Sequence, residues 1–323
     1  MTLDEYAKHM AKMYPVVWID GVPWRATRRM LEPLAAPHTM KPVDRAKVRQ
    51  AMRETRAVLA RWNDAWDTAP GEWWWICCDD RQYDVERLSR NRRKTVRKGC
   101  RLNEVRLLDN LWFAENAFEV YAASYKRYDL GIDRVDREGF VKGALQAAEC
   151  KGRETWGAFV DGKMIAYMSC LVVDDVVHVS SNKWDPDYGR VMPNDALEYT
   201  LTRHYLVERG VAYVTSGVRV LHHDTHTQDF DESMGYRRVY CPLRVELSPL
   251  AALAVGSGLG RWGPYAGLAK VMPSLFLRLR AASRLAAIAR SRSSGAAPVK
   301  VSAAGETPGE ADADDGPDAG AGS

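Results

Sequence analysis

The stretch TWGAFVDGKMIAYMSCLVV, residues 155–173, decides the fold of this 323-residue chain. Asp161-Gly162 separates two apolar runs, and this dipeptide between such runs is a strong signal of a two-residue hairpin turn. The second run is apolar at odd and even positions alike. Because successive side chains of a strand point to opposite faces, both faces of the predicted sheet should be covered by other elements.

The residues after the hairpin predict a change from antiparallel to parallel connection. Asp174-Asp175 forms a second turn that leads into a strand at 176–181. Pro193 then opens a helix, since proline is favoured at the first helical position, and Gly210 is suited to end it before a strand at 211–215. An antiparallel meander followed by a strand-helix-strand unit predicts a mixed α/β (α+β) fold.

The first 150 residues contain further predicted elements. Asp20-Gly21 predicts a second hairpin, and the apolar spacing between Pro42 and Trp66 is typical of an amphipathic helix. The run WWWICC at 73–78 indicates a buried strand, with an aromatic platform for a base or sugar as the alternative. The other elements predicted here are a strand at 105–108 and helices at 111–128 and 137–150.

A strongly basic helix is predicted to begin after Ser89, which is a good N-cap residue. Its cations recur at intervals of three and four residues, which places most of them on one face of the helix. Such a face can contact the phosphates of a nucleotide or RNA, and the alternative is a solvated face balanced by nearby acidic residues. The six cations are Arg90, Arg93, Lys94, Arg97, Lys98 and Arg101.

Four motifs together give the chain a resemblance to a known family. They are RRKTVRK at 92–98, WGAFVDGKMIAY at 156–167, WDPDY at 184–188 and FDESMGY at 230–236. Over roughly residues 75–247 they resemble the FemAB-like branch, also called BioF2-like or CelD-like, of the GCN5-related N-acyltransferase (GNAT) superfamily.

The resemblance implies a GNAT-like central mixed sheet flanked by helices, in one domain or in two tandem domains. In the tandem arrangement, residues 1–150 form a degenerate N-terminal GNAT-like domain and residues 151–247 form a C-terminal one. Residues 248–292 are expected to be a basic amphipathic helical extension, and residues 293–323 a disordered acidic tail. The segment 275–290 is expected either to contact an anionic membrane surface or to dock on the body of the protein.

The resemblance also implies where an acyl donor binds. In acyl-CoA-dependent relatives, a glycine-rich loop before the helix that here starts at Pro193 holds the pyrophosphate with backbone N–H groups. Residues 187–194 contain a single glycine and lack that pattern, so aminoacyl-tRNA is an alternative donor to acyl-CoA. No tightly bound cofactor and no metal are expected. The candidate donor ligands are Gly189, Arg190 and Asn194, together with Arg93 and Arg97 of the basic helix.

Acyl transfer to an amine requires a base, donors for the oxyanion and an acid for the leaving group. His223 oriented by Asp224 is one candidate base, because imidazole titrates near neutrality, and His178 is another. Each has a structural alternative, namely a polar surface loop for the first pair and a buried core histidine for His178. The candidate acceptor contacts are Ser216, Arg219 and Tyr236, although packing is the favoured role for Tyr236.

Composition and charge limit the class of protein. The formal net charge is +4, and residues 293–323 carry one lysine and six acidic residues, so the rest of the chain is more basic and favours anionic partners. Six cysteines without a C-x-x-C pair, and a start without an apolar leader, predict a cytoplasmic protein that is at most peripheral to a membrane.

The predicted function is transfer of an acyl or aminoacyl group to an amine or hydroxyl of a small molecule or a cell-envelope precursor, with tRNA as a further candidate partner. The alternative is a non-catalytic binding module that keeps a GNAT-like fold and a basic surface for phosphate or RNA.

Overall fold

The computed structural model describes residues 1–127, 135–219, 227–256 and 273–291, which form two sheets with helices packed around them. The strands are β1 (Val16–Ile19), β2 (Val22–Thr27), β3 (Met30–Pro33), β4 (Leu59–Asn63), β5 (Trp74–Cys78), β6 (Glu104–Leu108), β7 (Arg153–Val160), β8 (Lys163–Val173), β9 (Val176–Trp184), β10 (Tyr213–Val218), β11 (Arg237–Tyr240) and β12 (Leu243–Leu247). The helices are α1 (Leu3–Ala11), α2 (Arg45–Thr55), α3 (Arg90–Leu102), α4 (Asn110–Asn116), α5 (Phe118–Ser124), α6 (Arg137–Ala148), α7 (Pro193–Arg203), α8 (Thr227–Ser233), α9 (Pro249–Gly256) and α10 (Pro273–Ser291).

The larger sheet has seven strands in the order β11-β5-β10-β9-β8-β7-β6. Its β7–β8 hairpin turns at Asp161 and Gly162, which both have positive φ and so confirm the predicted turn. β9 continues the antiparallel meander and β10 lies parallel to β9. The residues from Met164 to Cys170 are all buried, as expected for a strand covered on both faces. The sheet is therefore mixed and flanked by helices, as the sequence predicts.

The larger sheet extends across residue 150, where the predicted domains meet. β5 and β6 both come from the first 150 residues, and β5 lies between β10 and β11, antiparallel to both. The tryptophan-rich run at 73–78 thus contributes a largely buried interior strand. The division into domains at this position stays a prediction, but the hydrogen-bonded sheet is continuous there.

The smaller sheet has five strands in the order β1-β2-β3-β4-β12. One face buries Trp24, Leu31 and Trp62 in a cluster with residues of α2. Because side chains alternate along a strand, the neighbouring residues Arg25 and Glu32 lie on the opposite face, directly across from each other in the β2–β3 ladder. β12 pairs with β4, so a strand from the C-terminal part of the chain completes a sheet begun near the N-terminus.

The single helix predicted between Pro42 and Trp66 is wrong in its second half. α2 begins after Asp44, whose side chain caps the helix by accepting from the Ala46 N–H, and it ends at Arg56 in the left-handed conformation. The residues from 59 to 63 form β4 instead. Their backbone groups pair with β3 on one side and β12 on the other, which provides partners that no local pattern reveals. The helix predicted over 111–128 is likewise divided, into α4 and α5.

Helices α3 and α7 pack closely on each other beside the larger sheet. Gly99 makes this approach feasible, because a Cβ at that position would lie 2.7 Å from the Met192 carbonyl oxygen and 3.2 Å from the Ala196 nitrogen. The basic helix therefore lies directly against the N-terminal turns of α7.

Helix α10 docks on the body of the protein through its described side chains. Leu285 and Ala286 are buried, and Leu285 belongs to a cluster with Leu59 and Leu243. This contact favours the docking alternative for the second half of the segment 275–290, and membrane contact stays a prediction. No helix within the described ranges is both long enough and apolar enough to span a bilayer.

Candidate active site

The parallel pairing of β9 and β10 is short, and the two strands then diverge. It joins the residues from Val176 to His178 with those from Tyr213 to Thr215. Beyond this point β9 continues along β8, whereas β10 has an irregularity before Gly217 and follows β5. The divergence leaves an opening in the middle of the larger sheet, and His178 lies at its apex.

A cavity of about 490 Å³ lies at this opening, between the two sheets. β5, β9 and β10 form its wall on one side, β2, β3 and β4 form it on the other, and α1 contributes Tyr6. This volume is within the range of small-molecule sites, which are concave and lined by apolar groups with a few convergent polar ones. The polar and aromatic residues that matter most for its chemistry are Arg25, Glu32, Arg61, Trp75, His178 and Tyr213.

Glu32 is held by two arginines in the cavity wall. Arg25 donates to one carboxylate oxygen at 2.7 Å and Arg61 donates to the other at 3.1 Å. Burial opposes the charged carboxylate, but Arg61 and Arg25 together hold the pKa of Glu32 below its usual value. All three side chains are therefore charged at neutral pH, and the trio carries one net positive charge.

His178 is accessible from the cavity and has groups from four strands around it. The Trp75 ring of β5 lies with its centroid 6.4 Å from the imidazole, Gly217 of β10 lies close to its Nε2, and the charges of Arg25 and Glu32 reach it from β2 and β3. Burial lowers the pKa of His178 and the positive charge of Arg25 lowers it further, while Glu32 acts in the opposite direction. The imidazole is therefore neutral at neutral pH and can accept a proton.

Tyr213 gives the same cavity a hydroxyl group that keeps its proton. Its oxygen is 3.1 Å from His38 Nδ1, the other ring nitrogen of His38 is 3.8 Å from Asp175, and the Trp66 ring stacks on the phenol at 5.2 Å. Burial raises the pKa of Tyr213 well above its usual value. Such a phenol can donate a hydrogen bond to an oxyanion or a leaving group.

Ser216 connects the cavity with a pair of buried acids. It lines the cavity, and its hydroxyl donates to Asp231 at 2.5 Å. Burial, together with the charge of Asp231, raises the pKa of Glu198, and burial also raises the pKa of Asp231 itself. One oxygen of Glu198 has no hydrogen-bond partner within the described ranges. The pair therefore stores a proton on the α7 side of the larger sheet.

The loop expected to hold the donor has the following geometry. Residues 186–191 form a 3₁₀ helix, in which Gly189 packs against the Trp184 ring and Arg190 is exposed. The side-chain oxygen of Asn194 is buried and has no partner in the described part of the chain. These three predicted donor ligands lie at the N-terminus of α7, apart from the residues that line the cavity.

Asp195 places a carboxylate in the first turn of α7. Asp195 accepts from Arg92 at 2.7 Å and from the Thr95 hydroxyl, both on α3. A carboxylate in the first turn interacts favourably with the positive end of the helix. This ion pair joins the two helices at the N-terminus of α7.

The six cations of α3 lie on one face, as their spacing predicts, and line an open groove of about 730 Å³. Arg93 and Arg97 both pair with Glu86, which is the balanced arrangement considered as the alternative. The other four cations make no ion pair with any residue that the structure describes. They are Arg90, Lys94, Lys98 and Arg101.

The remaining predicted residues lie elsewhere. Tyr236 is buried in the core beside α7, where its hydroxyl meets the Thr202 hydroxyl at 2.8 Å, so it does not reach the cavity. Arg219 donates to the Glu72 carbonyl at 2.6 Å, and its guanidinium lies 4.6 Å over the Trp74 ring. His223 and Asp224 fall outside the described residues.

Of the site residues predicted from the sequence, only His178 and Ser216 line the cavity. Arg25 and Arg61, which also line it, were not among the predicted site residues. Arg25 and Arg61 come from strands of the smaller sheet, and Glu32 comes from β3, which the sequence did not predict. Arg25 alternates with the apolar residues Trp24 and Ala26, a pattern typical of a strand with one solvated face, so no local signal marks it as a site residue.

Comparisons with known proteins agree with this architecture. The model of an acetyltransferase (GNAT) domain matches residues 85–224. Among solved structures, FemX is similar with a TM-score of 0.54 at 10% identity, over 78% of this chain and 93% of that one. The C-terminal domain (DUF2156) of a protein described as a lysylphosphatidylglycerol synthetase, from Agrobacterium fabrum, is similar with a TM-score of 0.50 at 12% identity, over 80% of this chain and 95% of that one.

Comparison with curated protein sequences gives no match. At these identities the structural similarities establish the fold alone. Residues 85–224 therefore match the model of an acetyltransferase (GNAT) domain, and the fold of the chain is similar to that of FemX.

Proposed function

We propose that the protein is an acyltransferase that moves an acyl or aminoacyl group to an amine of an acceptor bound in the cavity between its two sheets. The observation that carries the proposal is the cavity at the point where β9 and β10 diverge, with a neutral imidazole and a protonated phenol in its wall. The GNAT domain match supports the same reaction class.

The residues supply each part of the reaction. The amine nitrogen attacks the acyl carbon of an activated ester or thioester, so a C–N bond forms and the bond from the acyl carbon to oxygen or sulfur breaks. His178 takes the proton that leaves the nitrogen, and Tyr213 donates a hydrogen bond to the oxyanion. The leaving alcohol or thiol acquires a proton, which balances the transfer.

The basic face of α3 supports a phosphorylated donor, either acyl-CoA or aminoacyl-tRNA. Four of its cations are not committed to ion pairs within the described ranges, and phosphates are strong acceptors for such groups. Lys94→Glu combined with Lys98→Glu should weaken donor binding by roughly 10- to 100-fold at low salt, and less at high salt. Lys142→Glu, which reverses the charge of an exposed lysine on α6, is the matched control and should leave donor affinity unchanged.

The decisive experiment measures transfer with both donor classes. The protein is incubated with a series of acyl-CoAs or charged tRNAs and a panel of amines, and the acylated product is detected by mass spectrometry. His178→Gln should lower kcat by roughly 100-fold or more, while His204→Gln, which changes a histidine outside the cavity, should not. An unchanged rate in His178→Gln would remove this residue from the mechanism.

A non-catalytic binding module is the second candidate. The observation that favours it is Asp195, which supplies a carboxylate where relatives with a glycine-rich loop bind pyrophosphate. Saturable binding of donors without product in any combination of donor and amine would support the module over the enzyme.

A further inference from the structure

Arg25, Glu32 and Arg61 give the cavity wall a group with one net positive charge. Glu32 gives one oxygen to Arg25 and the other to Arg61, and each arginine uses its Nε and one terminal nitrogen for this contact. The second terminal nitrogen of each guanidinium makes no hydrogen bond to any residue within the described ranges. Two guanidinium groups thus keep donors available for an anion that enters the cavity.

These donors are positioned before a ligand arrives. Arg25 and Glu32 are cross-strand neighbours, and Arg61 follows Ala60, which pairs with Leu31 in the parallel β3–β4 ladder. The Glu32 side chain is only 14% exposed and is held from both sides. Because the two arginines are fixed by a shared carboxylate, binding an anion requires little reordering of side chains. A net charge of one favours a singly charged group such as a carboxylate.

The same cavity offers groups that suit an amine. Asp174 and Asp175, at the β8–β9 turn, line it as well, and His178 is neutral for the reason given above. Trp73 and Trp75 add aromatic surface that suits an apolar side chain. Anionic and cationic wall groups in a small cavity match a molecule that carries both charges.

We infer that the acceptor is an amino acid or a closely related amino-carboxylate, with its carboxylate on Arg25 and Arg61 and its amine next to His178. The product of the proposed reaction is then an N-acyl amino acid. This inference rests on the proposed function for the role of the ligand as acceptor, but its binding site is testable without any donor.

The test is binding of small probes to the full chain by isothermal titration calorimetry and by the shift in Tm. Leucine and phenylalanine should bind, while leucinamide and phenylalaninamide, which lack the carboxylate, should bind at least 10-fold more weakly. Inorganic phosphate and phosphoethanolamine form a separate arm that distinguishes a phosphate site from a carboxylate site. Because no donor is present, failure of acyl transfer leaves this result unaffected.

Variants locate the site. Arg61→Gln should weaken binding of leucine or phenylalanine at least 10-fold, and Arg61→Lys, which keeps the charge but loses the planar fork, should lie in between. Arg244→Gln is the matched control, since it removes an arginine that pairs with Asp64 on the same sheet outside the cavity. If Arg61→Gln does not fold, the comparison between acids and amides in the unaltered protein still shows whether binding requires a carboxylate.

Three outcomes would overturn the inference. They are equal binding of the acids and their amides, binding of the phosphate probes alone, and an Arg61→Gln protein that is folded and binds leucine and phenylalanine as the unaltered protein does.

Discussion

Glu198 is a carboxylic acid in a fully buried position, close to a second acid, Asp231. Burial and the neighbouring charge raise its pKa, so the folded protein holds a proton that the unfolded chain releases above about pH 4.3. Stability from this group is therefore greatest at low pH and is lost as the pH rises toward the raised pKa of the folded state. Glu198→Gln should abolish this loss, which makes the variant more stable than the unaltered protein at pH 8–9 by roughly 1–3 kcal/mol.

Urea unfolding between about pH 5 and pH 9 checks the prediction. At pH 5 the two proteins should differ little, because glutamine replaces a glutamic acid that is already protonated. A difference in the free energy of unfolding that does not change with pH would contradict the assigned protonation state.

Protonation of His178 should determine how the rate of the proposed reaction falls at low pH. Its pKa lies below the usual value of about 6.5, so the rate should fall only when the pH drops below that value. Glu32 is the group that opposes this lowering, and Glu32→Gln leaves the charge of Arg25 uncompensated. We expect the apparent pKa that governs the fall in rate at low pH to be lower still in this variant.

A pH–rate profile of kcat/KM measures this shift. Glu246→Gln is the matched control, because Glu246 of β12 pairs with Arg45 and Arg49 of α2 and does not line the cavity. If the apparent pKa on the acidic side of the profile rises in Glu32→Gln, or changes equally in the control, a group other than His178 is titrating.

At the scale of elements, the contact between α3 and α7 depends on one missing side chain. Gly99→Ala would place a Cβ 2.7 Å from the Met192 carbonyl oxygen, so the helices must move apart, at a cost of about 1–3 kcal/mol. Gly143→Ala on α6 is the control, since a Cβ there meets nothing within 4 Å. That change should stabilise the protein by up to about 1 kcal/mol through higher helix propensity. Denaturant midpoints of the two variants should therefore move in opposite directions.

Elements with strong local signals could be predicted from sequence, whereas elements defined by distant partners could not. The β7–β8 hairpin follows from Asp161-Gly162, and α3 follows from its cap at Ser89 and its charge spacing. β4 was assigned to a helix because its apolar spacing also fits a helical period, and its true partners are β3 and a strand about 180 residues later. The local sequence pattern does not predict that pairing.

The same reason explains why most of the candidate site was missed. His178 lies on a strand whose alternation is visible in the sequence, so it could be named. The arginine pair comes from β2 and β4 of the other sheet, and only the packing of the two sheets brings Arg25 and Arg61 opposite His178. A site built between two sheets is a property of the whole molecule.

Whole-molecule topology gives the last prediction. β5 and β6, from the first 150 residues, are strands of the larger sheet, and β12, from the last third, completes the smaller one. If the chain is cut after residue 150, the first fragment loses one of the two partners of β4 and every partner of β5 and β6. The second fragment loses β5, which leaves backbone groups of β10 and β11 unpaired. Neither fragment, 1–150 or 151–323, should therefore fold alone.

Circular dichroism and urea unfolding of both fragments and of the full chain test this expectation. The full chain should unfold in one transition, with tryptophan fluorescence and far-ultraviolet dichroism changing together, because strands from both halves share each sheet. The fragments should show no cooperative transition separately, and mixing them should restore one if the sheets can reassemble. A cooperative transition in fragment 151–323 alone would instead establish residue 150 as a true domain boundary, with β5 an addition that the second domain does not require.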